Sequence, residues 1–264
     1  MTDAPVAYDV SDQVATIALA RPDAMNSLTL AAKEALKRAV LDAASDERVR
    51  CVVLTGSGRA FCVGQDLREH AAALESQAVD ELWSTVPEHY APIALGLATM
   101  PKPVIAAVNG VAAGAGVSLA LACDFRIAAD NAGFNTAFAG IGLSCDTGIS
   151  WTLPRLIGRA KALELLLTPR TVRAPEAAEL GLVTRVVPGD ELTAATTELA
   201  RQLAAGPTQA YAAIKRAVTY SATHDLAAAL DHEGTQMAHT GATHDHRDAV
   251  GAFLAKQTPT YHGR

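Results

Sequence analysis

Two glycine-punctuated stretches decide the reading of this chain: VVLTGSGRAFCVGQDL, from Val52 to Leu67, and PVIAAVNGVAAGAGVSLALACD, from Pro103 to Asp124. Each opens with a β-branched apolar run, passes through a glycine turn and leads into a helix. In the second stretch the strand is Val104 to Val108, Asn109-Gly110 makes the turn, and a run of small residues forms the helix. The first N–H groups of such a helix lack intrahelical partners, and the helix dipole favours negative charge beside them. Two such stretches are expected to aim main-chain donors at a common spot, an anion site that no side chain has to supply. The competing reading, that the glycines merely allow tight strand-to-helix packing, makes no use of their recurrence.

Outward from these stretches the chain alternates strand and helix. Ala4 to Val10 and Gln13 to Ala20 are short alternating runs around Ser11-Asp12, which predicts an antiparallel hairpin. Ser27-Leu28-Thr29 precedes a helical pattern to about Ala44, and Arg50 to Thr55 reads as a buried strand. Asp66-Leu67-Arg68-Glu69 has the spacing of a capping box. Residues 70 to 100 are helical but loosely specified, and Phe125 to Ala129 is a further strand. Repeated β-then-α units predict an α/β core, covering residues 1–188. After Pro188 the character changes. Asp190 to Ala205, Pro207 to Tyr220, Asp225 to Met237 and His244 to Lys256 predict an Ala-rich helical region over 189–264, with an apolar face to dock on the core or on another subunit.

Composition excludes several functions. The 264 residues carry 28 acidic and 22 basic side chains, a net charge of −6 with no block of like charge, so nucleic-acid and anionic-membrane surfaces are not expected. Pro103 to Cys123 is uncharged and long enough to span a bilayer, but its glycines and Asn109 break it into strand, turn and helix. The four cysteines, Cys51, Cys62, Cys123 and Cys145, form no C-x-x-C pair. The opening MTDAPVAYDV lacks a basic region followed by an apolar one, so a reduced, cytoplasmic setting is expected. His232, His239, His244 and His246 lack metal-ligand spacing, no metal is expected, and no G-x-S-x-G elbow occurs.

Arg21-Pro22 with Asn26-Ser27-Leu28, then LTGSGRAFCVGQDL, PKPVIAAVNGVAAGAG, ACDFRIAAD, LPRLIGRAKALELLLT and AAELGLVTRVVP, resemble the crotonase (enoyl-CoA hydratase/isomerase) superfamily over nearly the whole chain. The resemblance implies a crotonase-like spiral of ββα units with a C-terminal helical trimerisation region. It also implies acyl-CoA thioester substrates, with coenzyme A arriving as part of the substrate and no permanently bound cofactor. The expected assembly is a homotrimer or hexamer.

Carried over by position, the resemblance assigns the two oxyanion-hole N–H groups to Gln65 and Ala115. Around coenzyme A it implies Arg21, Met25, Ser27, Leu28, Ala60, Val63, Gly64, Asp66, Leu67 and Gly114, with Phe253 and Lys256 on the tail. Ser118, Phe134 and Phe138 are expected to shape the acyl pocket. Hydratases of the superfamily carry two glutamates, and the matching positions here are Ser118 and Phe138, neither of which moves a proton as a carboxylate does. Asp146, in the apolar loop GLSCDTG, is the candidate acid/base, expected to be desolvated against Phe138, Ile141 and Trp151. Its alternative is a turn residue or helix cap.

NGVAAGAG, Phe134-x-x-x-Phe138, IGLSCDTG and SWTLPRLIGRA are similar to one branch, the ring-epoxyphenylacetyl-CoA isomerases, where an aspartate at this place is the acid/base. The expected activity is therefore an isomerase that moves a double bond or opens a ring epoxide through an enolate. A hydratase recruiting water through Asp146 and Ser118, and a catalytically silent acyl-CoA binder, are the alternatives. His89 is read as a surface helix histidine. Lys256 and Arg21 are each read as a phosphate neighbour or as an ordinary surface or turn residue.

Overall fold

In the computed structural model, which describes residues 4–264, ten strands form two sheets. They are β1 (Val6–Ser11), β2 (Val14–Leu19), β3 (Cys51–Gly56), β4 (Ala60–Cys62), β5 (Val104–Val108), β6 (Val111–Ala113), β7 (Phe125–Ala129), β8 (Gly133–Asn135), β9 (Val172–Arg173) and β10 (Arg185–Val187). The larger sheet has the order β1-β2-β3-β5-β7-β10, and the smaller β4-β6-β8-β9. Each turn of chain lays one strand in the large sheet and the next in the small one: β3 then β4, β5 then β6, β7 then β8, with β3, β5 and β7 parallel and β4, β6 and β8 parallel. Helices Leu67–Ser76 and Ala115–Ala122 close the first two turns. This is the expected spiral of ββα units. The three-residue strands of the small sheet are too short for a period-2 signal, so the sequence reading merged them into turns.

The opening hairpin pairs β1 with β2 antiparallel, and its turn is Asp12-Gln13, with φ of 49° and 64°, the two-residue geometry whose twist matches the strands. Side chains alternate across the pleat. Val52 and Leu54 of β3 therefore join the main core, while Cys51 and Val53 join a second one on the opposite face. Helix Leu192–Ala204 covers that second face with Leu192, Ala195, Ala200 and Leu203. Helices Thr208–Ser221, Leu226–Gly241 and His244–Leu254 follow, and Ile214, Val218 and Met237 remain exposed along one groove between the first two.

Two features position the site. Asn26, 1% exposed, donates from Nδ2 to the Ser57 and Ala60 carbonyls at 2.9 and 2.8 Å, pinning the 21–28 loop to the first glycine stretch. The 70–100 region resolves into helix Leu67–Ser76, a short helix Val79–Trp83, a π-helical turn Val86–Tyr90 and helix Ala91–Thr99. In the wide turn the Ala91 N–H reaches back five residues to the Val86 carbonyl. Pro92 has no N–H to offer the Glu88 carbonyl, and Lys37 Nζ takes it at 3.0 Å instead. Such turns recur at functional sites, and this one brings His89 and Tyr90 inside, 6% and 2% exposed.

Candidate active site

The two glycine stretches touch through their backbones. A Cβ on Gly116 would lie 2.0 Å from the Cys62 carbonyl oxygen, and one on Gly64, where φ is +83°, 2.9 Å from the Ala113 oxygen and 3.2 Å from the Ala115 nitrogen. Glycine is required at both positions because the other stretch's main chain occupies the side-chain space. Gln65 is held by a parallel bridge in which Leu28 N–H donates to the Gly64 carbonyl and Asp66 N–H to the Leu28 carbonyl. That pattern leaves the N–H of Gln65 itself unused. Among the described residues neither it nor the Ala115 N–H, at the first position of helix Ala115–Ala122, donates to a protein acceptor. Both residues line one cavity of about 120 Å³, so unpaired main-chain donors and a helix N-terminus meet there.

Asp146 lines the same cavity and, among the described residues, is the single carboxylate on its wall. The helix that follows, Ile149–Ile157, is capped by Gly148 without a side-chain bond, so the cap role open to Asp146 in the sequence is not taken. Its Oδ1 accepts from the Thr147 hydroxyl at 2.7 Å. Thr147 is buried with φ of 53°, a left-handed conformation that costs a β-branched residue free energy and recurs where a site over-determines the backbone. Burial pushes the Asp146 carboxyl above its ordinary value, with the Thr147 hydrogen bond and the charge of Lys33 pulling the other way.

Behind the wall is a polar network that the sequence reading missed. Lys33 is 3% exposed; its Nζ donates to Gln65 Oε1 at 3.2 Å and to Thr85 Oγ1 at 2.6 Å. Tyr90 donates its hydroxyl to the same Gln65 oxygen at 2.6 Å, and the ammonium stands 5.3 Å from the Tyr90 ring centroid. Gln65, Thr85, Tyr90, His70 and Trp83 line the cavity, the last two with ring centroids 5.5 Å apart. One signal was available for Lys33: it lies on the buried stripe of helix Leu30–Ser45 with Ala32, Leu36, Val40 and Ala43, where a lysine is out of pattern. Thr85, Tyr90, His70 and Trp83 come from the irregular 70–100 region and carried none.

The family profile described as enoyl-CoA hydratase/isomerase matches residues 9–264. The chain belongs to the enoyl-CoA hydratase/isomerase family. It is 41% identical over 255 residues to the 1,2-epoxyphenylacetyl-CoA isomerase of Escherichia coli K12, covering 97% of each protein. It is 41% identical over 260 residues to a probable enoyl-CoA hydratase of Rhodobacter capsulatus, covering 98% of each. The crystal structure of an enoyl-CoA hydratase from Bacillus anthracis superposes with a TM-score of 0.92 at 35% identity, over 98% of this chain and all of that one. The crotonase resemblance and the spiral fold expected from the motifs are thereby established, and the Escherichia coli relative is of the branch that the motifs resemble.

Against this enoyl-CoA hydratase/isomerase frame, the expected site residues divide between the cavity, the bonded cluster of Arg21, Ser27 and Asp66, the interior, where Leu28 and Ala60 are 0% and 1% exposed, and the surface, where Met25 is 37% exposed. Val63, Gly64, Gln65, Leu67, Gly114, Ala115, Phe138 and Asp146 line the cavity. Ser118 and Phe134 do not: both are packed in the interior, 0% and 3% exposed, and the Ser118 hydroxyl bonds to the Gly114 carbonyl of its own helix. Trp151 is likewise not a wall of the Asp146 pocket. It is 42% exposed and carries the Arg155 guanidinium 4.1 Å from its ring, and Trp83 takes the place expected of it. Phe253 and Lys256 are exposed at the end of the terminal helix, outside the cavity.

Two further readings change in this hydratase/isomerase fold. His89 is buried rather than on the surface; its Nδ1 lies 3.3 Å from Thr85 Oγ1, and burial, then the charges of Lys33 and Lys37, lower its pKa. Asp66 caps helix Leu67–Ser76, its Oδ1 accepting from the Arg68 and Glu69 N–H groups at 3.2 Å each. The capping box is half formed, because Glu69 Oε1 accepts instead from the Leu30 N–H at 2.8 Å and ties two helix starts together. Arg21 Nη1 spans Asp66 Oδ2 at 3.0 Å and the Ser27 carbonyl at 2.6 Å, and the Ser27 hydroxyl donates to Asp66 at 2.8 Å. Burial raises the Asp66 carboxyl, but the hydrogen bonds from Ser27, Arg21 and the Glu69 N–H outweigh it and hold the group at about 2. Cys62 is sealed in the core with its thiol pushed up to about 12 by burial, which removes it as a nucleophile.

Proposed function

We propose that the protein is an acyl-CoA isomerase that moves a double bond through an enolate, with Asp146 as its single acid/base. One observation carries the reading: one desolvated carboxyl group shares a cavity with two unpaired main-chain N–H groups, and no second carboxylate faces it among the described residues. The thioester carbonyl oxygen accepts from the Gln65 and Ala115 N–H groups. The ionised Asp146 removes a proton from C2 of a 3-enoyl thioester, the electrons pass into the carbonyl as a dienolate, and the protonated carboxyl returns the proton to C4, leaving the 2-enoyl product. No atom is gained or lost, and the carboxylate is regenerated. Donors fixed where charge develops are worth about 3 to 4 kcal/mol each, and a carboxyl above its usual range is a better base for a carbon acid.

Syn addition of water needs two groups to hold and activate it, and the residues at the two glutamate positions, Ser118 and Phe138, cannot supply them. Opening of a ring epoxide is a second reaction for the same group, supported by the name of the Escherichia coli relative. Coenzyme A is proposed to lie over Met25 and Leu67, 37% and 53% exposed, the latter on the cavity wall, near Ala60, Leu28 and the Arg21–Ser27–Asp66 cluster. The exposed Ile214, Val218 and Met237 support assembly through residues 189–264 as a trimer or hexamer, with Phe253 and Lys256 free to reach a neighbouring subunit's nucleotide.

The test assays the same short enoyl-CoA for double-bond migration and for water addition. Migration without hydration supports the reading. Hydration at a comparable rate overturns it, and binding with neither reaction identifies a silent acyl-CoA binder.

A further inference from the structure

Among the described residues Lys33 is a buried ammonium without a carboxylate in hydrogen-bond range, and its neighbours are side chains of the cavity wall. The other buried lysine shows the contrast. Lys102 donates to the Ala43 and Asp46 carbonyls at 2.7 and 2.6 Å, closing the C-terminus of helix Leu30–Ser45, where the dipole welcomes a cation. Arg126, also buried, donates to the Leu182 and Cys123 carbonyls. Lys33 sits near the start of its helix, where the same dipole opposes it, and donates to Gln65 Oε1 and Thr85 Oγ1. Methionine or leucine would fill an apolar stripe position at no desolvation cost. A cation held there at such cost needs negative potential nearby.

Resting on the isomerase reading of the site, we propose that Lys33 is a positioning residue that locks the Gln65 and Thr85 side chains into the wall of the cavity that Asp146 also lines, and acts on that carboxyl through its charge. Two consequences follow. Gln65 supplies one of the unpaired N–H donors, so fixing its side chain between Lys33 and Tyr90 also fixes the peptide that must face the developing enolate oxygen. The ammonium also places a full positive charge behind that donor, in a low-dielectric wall where it is poorly screened. Asp146 is thus set by opposed influences: burial raises its carboxyl, and the Thr147 hydroxyl and then the charge of Lys33 pull it the other way.

The groups facing this pair are few. Glu69 and Asp146 supply the negative potential that favours charged Lys33 against its burial. Tyr90 approaches from the π-helical turn, His89 lies one hydrogen bond beyond through Thr85, and His70 is the other titratable group on the wall. The Tyr90 hydroxyl is pushed upward by burial and then by Asp146, so it stays protonated and serves as a donor to Gln65.

The test uses the full chain with Lys33→Met, which loses charge and donor, and Lys33→Gln, which keeps a donor and loses the charge. The titration midpoint of the Asp146 carboxyl is followed by 13C NMR, the resonance being assigned by its loss in Asp146→Asn. Both variants should raise the midpoint above the wild-type value. The acid limb of the kcat/KM profile should move up with it, and kcat should fall while KM for the thioester changes little. A midpoint that stays at the wild-type value in Lys33→Gln overturns the proposal, whether or not Lys33→Met folds, because it removes the charge as agent. The NMR readout needs no turnover: a shifted midpoint in a protein that isomerises nothing sustains the role of Lys33 and sinks the isomerase reading alone.

Discussion

Asp66 and Asp146 both follow glycine-bearing turns and both precede helices, yet the fold treats them in opposite ways. Asp66 receives an arginine, a serine hydroxyl and two backbone N–H groups, and its carboxyl is held at about 2. Asp146 receives one threonine hydroxyl, caps nothing, and is raised by burial. The first is a permanently ionised strut between the 21–28 loop and helix Leu67–Ser76. The second is left with a raised proton affinity and a single hydroxyl donor. The supply of hydrogen-bond donors sets these two carboxylates apart: four donors offset the burial of Asp66, and one does not offset that of Asp146.

The largest effect expected from breaking this contrast is on turnover. Asp146→Asn should lower kcat by about a thousandfold, within the range for loss of a general acid/base, while thioester binding by calorimetry stays near wild type. A variant that folds and retains full isomerase turnover removes the assignment. Gly64→Ala leaves both carboxylates in place and attacks the donors between them. Its Cβ would press on the Ala113 oxygen and the Ala115 nitrogen, and a roughly hundredfold loss of kcat is expected from misplacing one donor pair. Unchanged kcat would show that the two stretches do not form the anion site.

Stability should move in opposite directions at the two aspartates. Asp66→Ala loses a helix cap and leaves Arg21 unpaired, for a cost of about 2 kcal/mol in denaturant unfolding at pH 7. Because the folded value of Asp66 lies below its unfolded one, the wild-type advantage is complete above pH 4 or so and fades as pH falls toward about 2. Asp146 has the reverse sign. Its raised folded value penalises the ionised form, a penalty present above that value and relieved below it, so Asp146→Asn should raise the melting temperature at neutral pH. A fall in melting temperature would make Asp146 a structural residue after all. The smallest effect is expected at Trp151→Ala, below about 0.5 kcal/mol with unchanged kcat, set against a clear loss of kcat/KM in Trp83→Ala. Equal effects at the two tryptophans would return Trp151 to the pocket.

Much of this was legible from local signals. The strand β5, the helix starts at Thr29 and Asp66, and the glycines that let two main chains meet are each fixed by residues within one turn or one pleat. Gly64 and Gly116 mark the backbone approach because no other residue leaves that space empty. The short strands β4, β6 and β8 were hidden because three residues carry no period. The 70–100 region was opaque because Pro87 and Pro92 break its helical pattern into pieces whose packing is set by other segments.

The sequence by itself determined the alternation of strand and helix and the glycines that let two main chains meet, since these depend on apolar periodicity and glycine sterics acting over short distances, while its motifs, by resemblance, pointed to the family. Only the tertiary structure decided which acid is a strut and which is free, that Ser118 and Trp151 stand outside the pocket, that Tyr90 lines it, and that Lys33 and His89 stand behind its wall. Burial and hydrogen-bond supply arise from segments far apart in the chain: Lys33 meets Gln65 across 32 residues and Thr85 across 52. A side chain's proton affinity is fixed by those neighbours, and a linear sequence does not say which of them will meet.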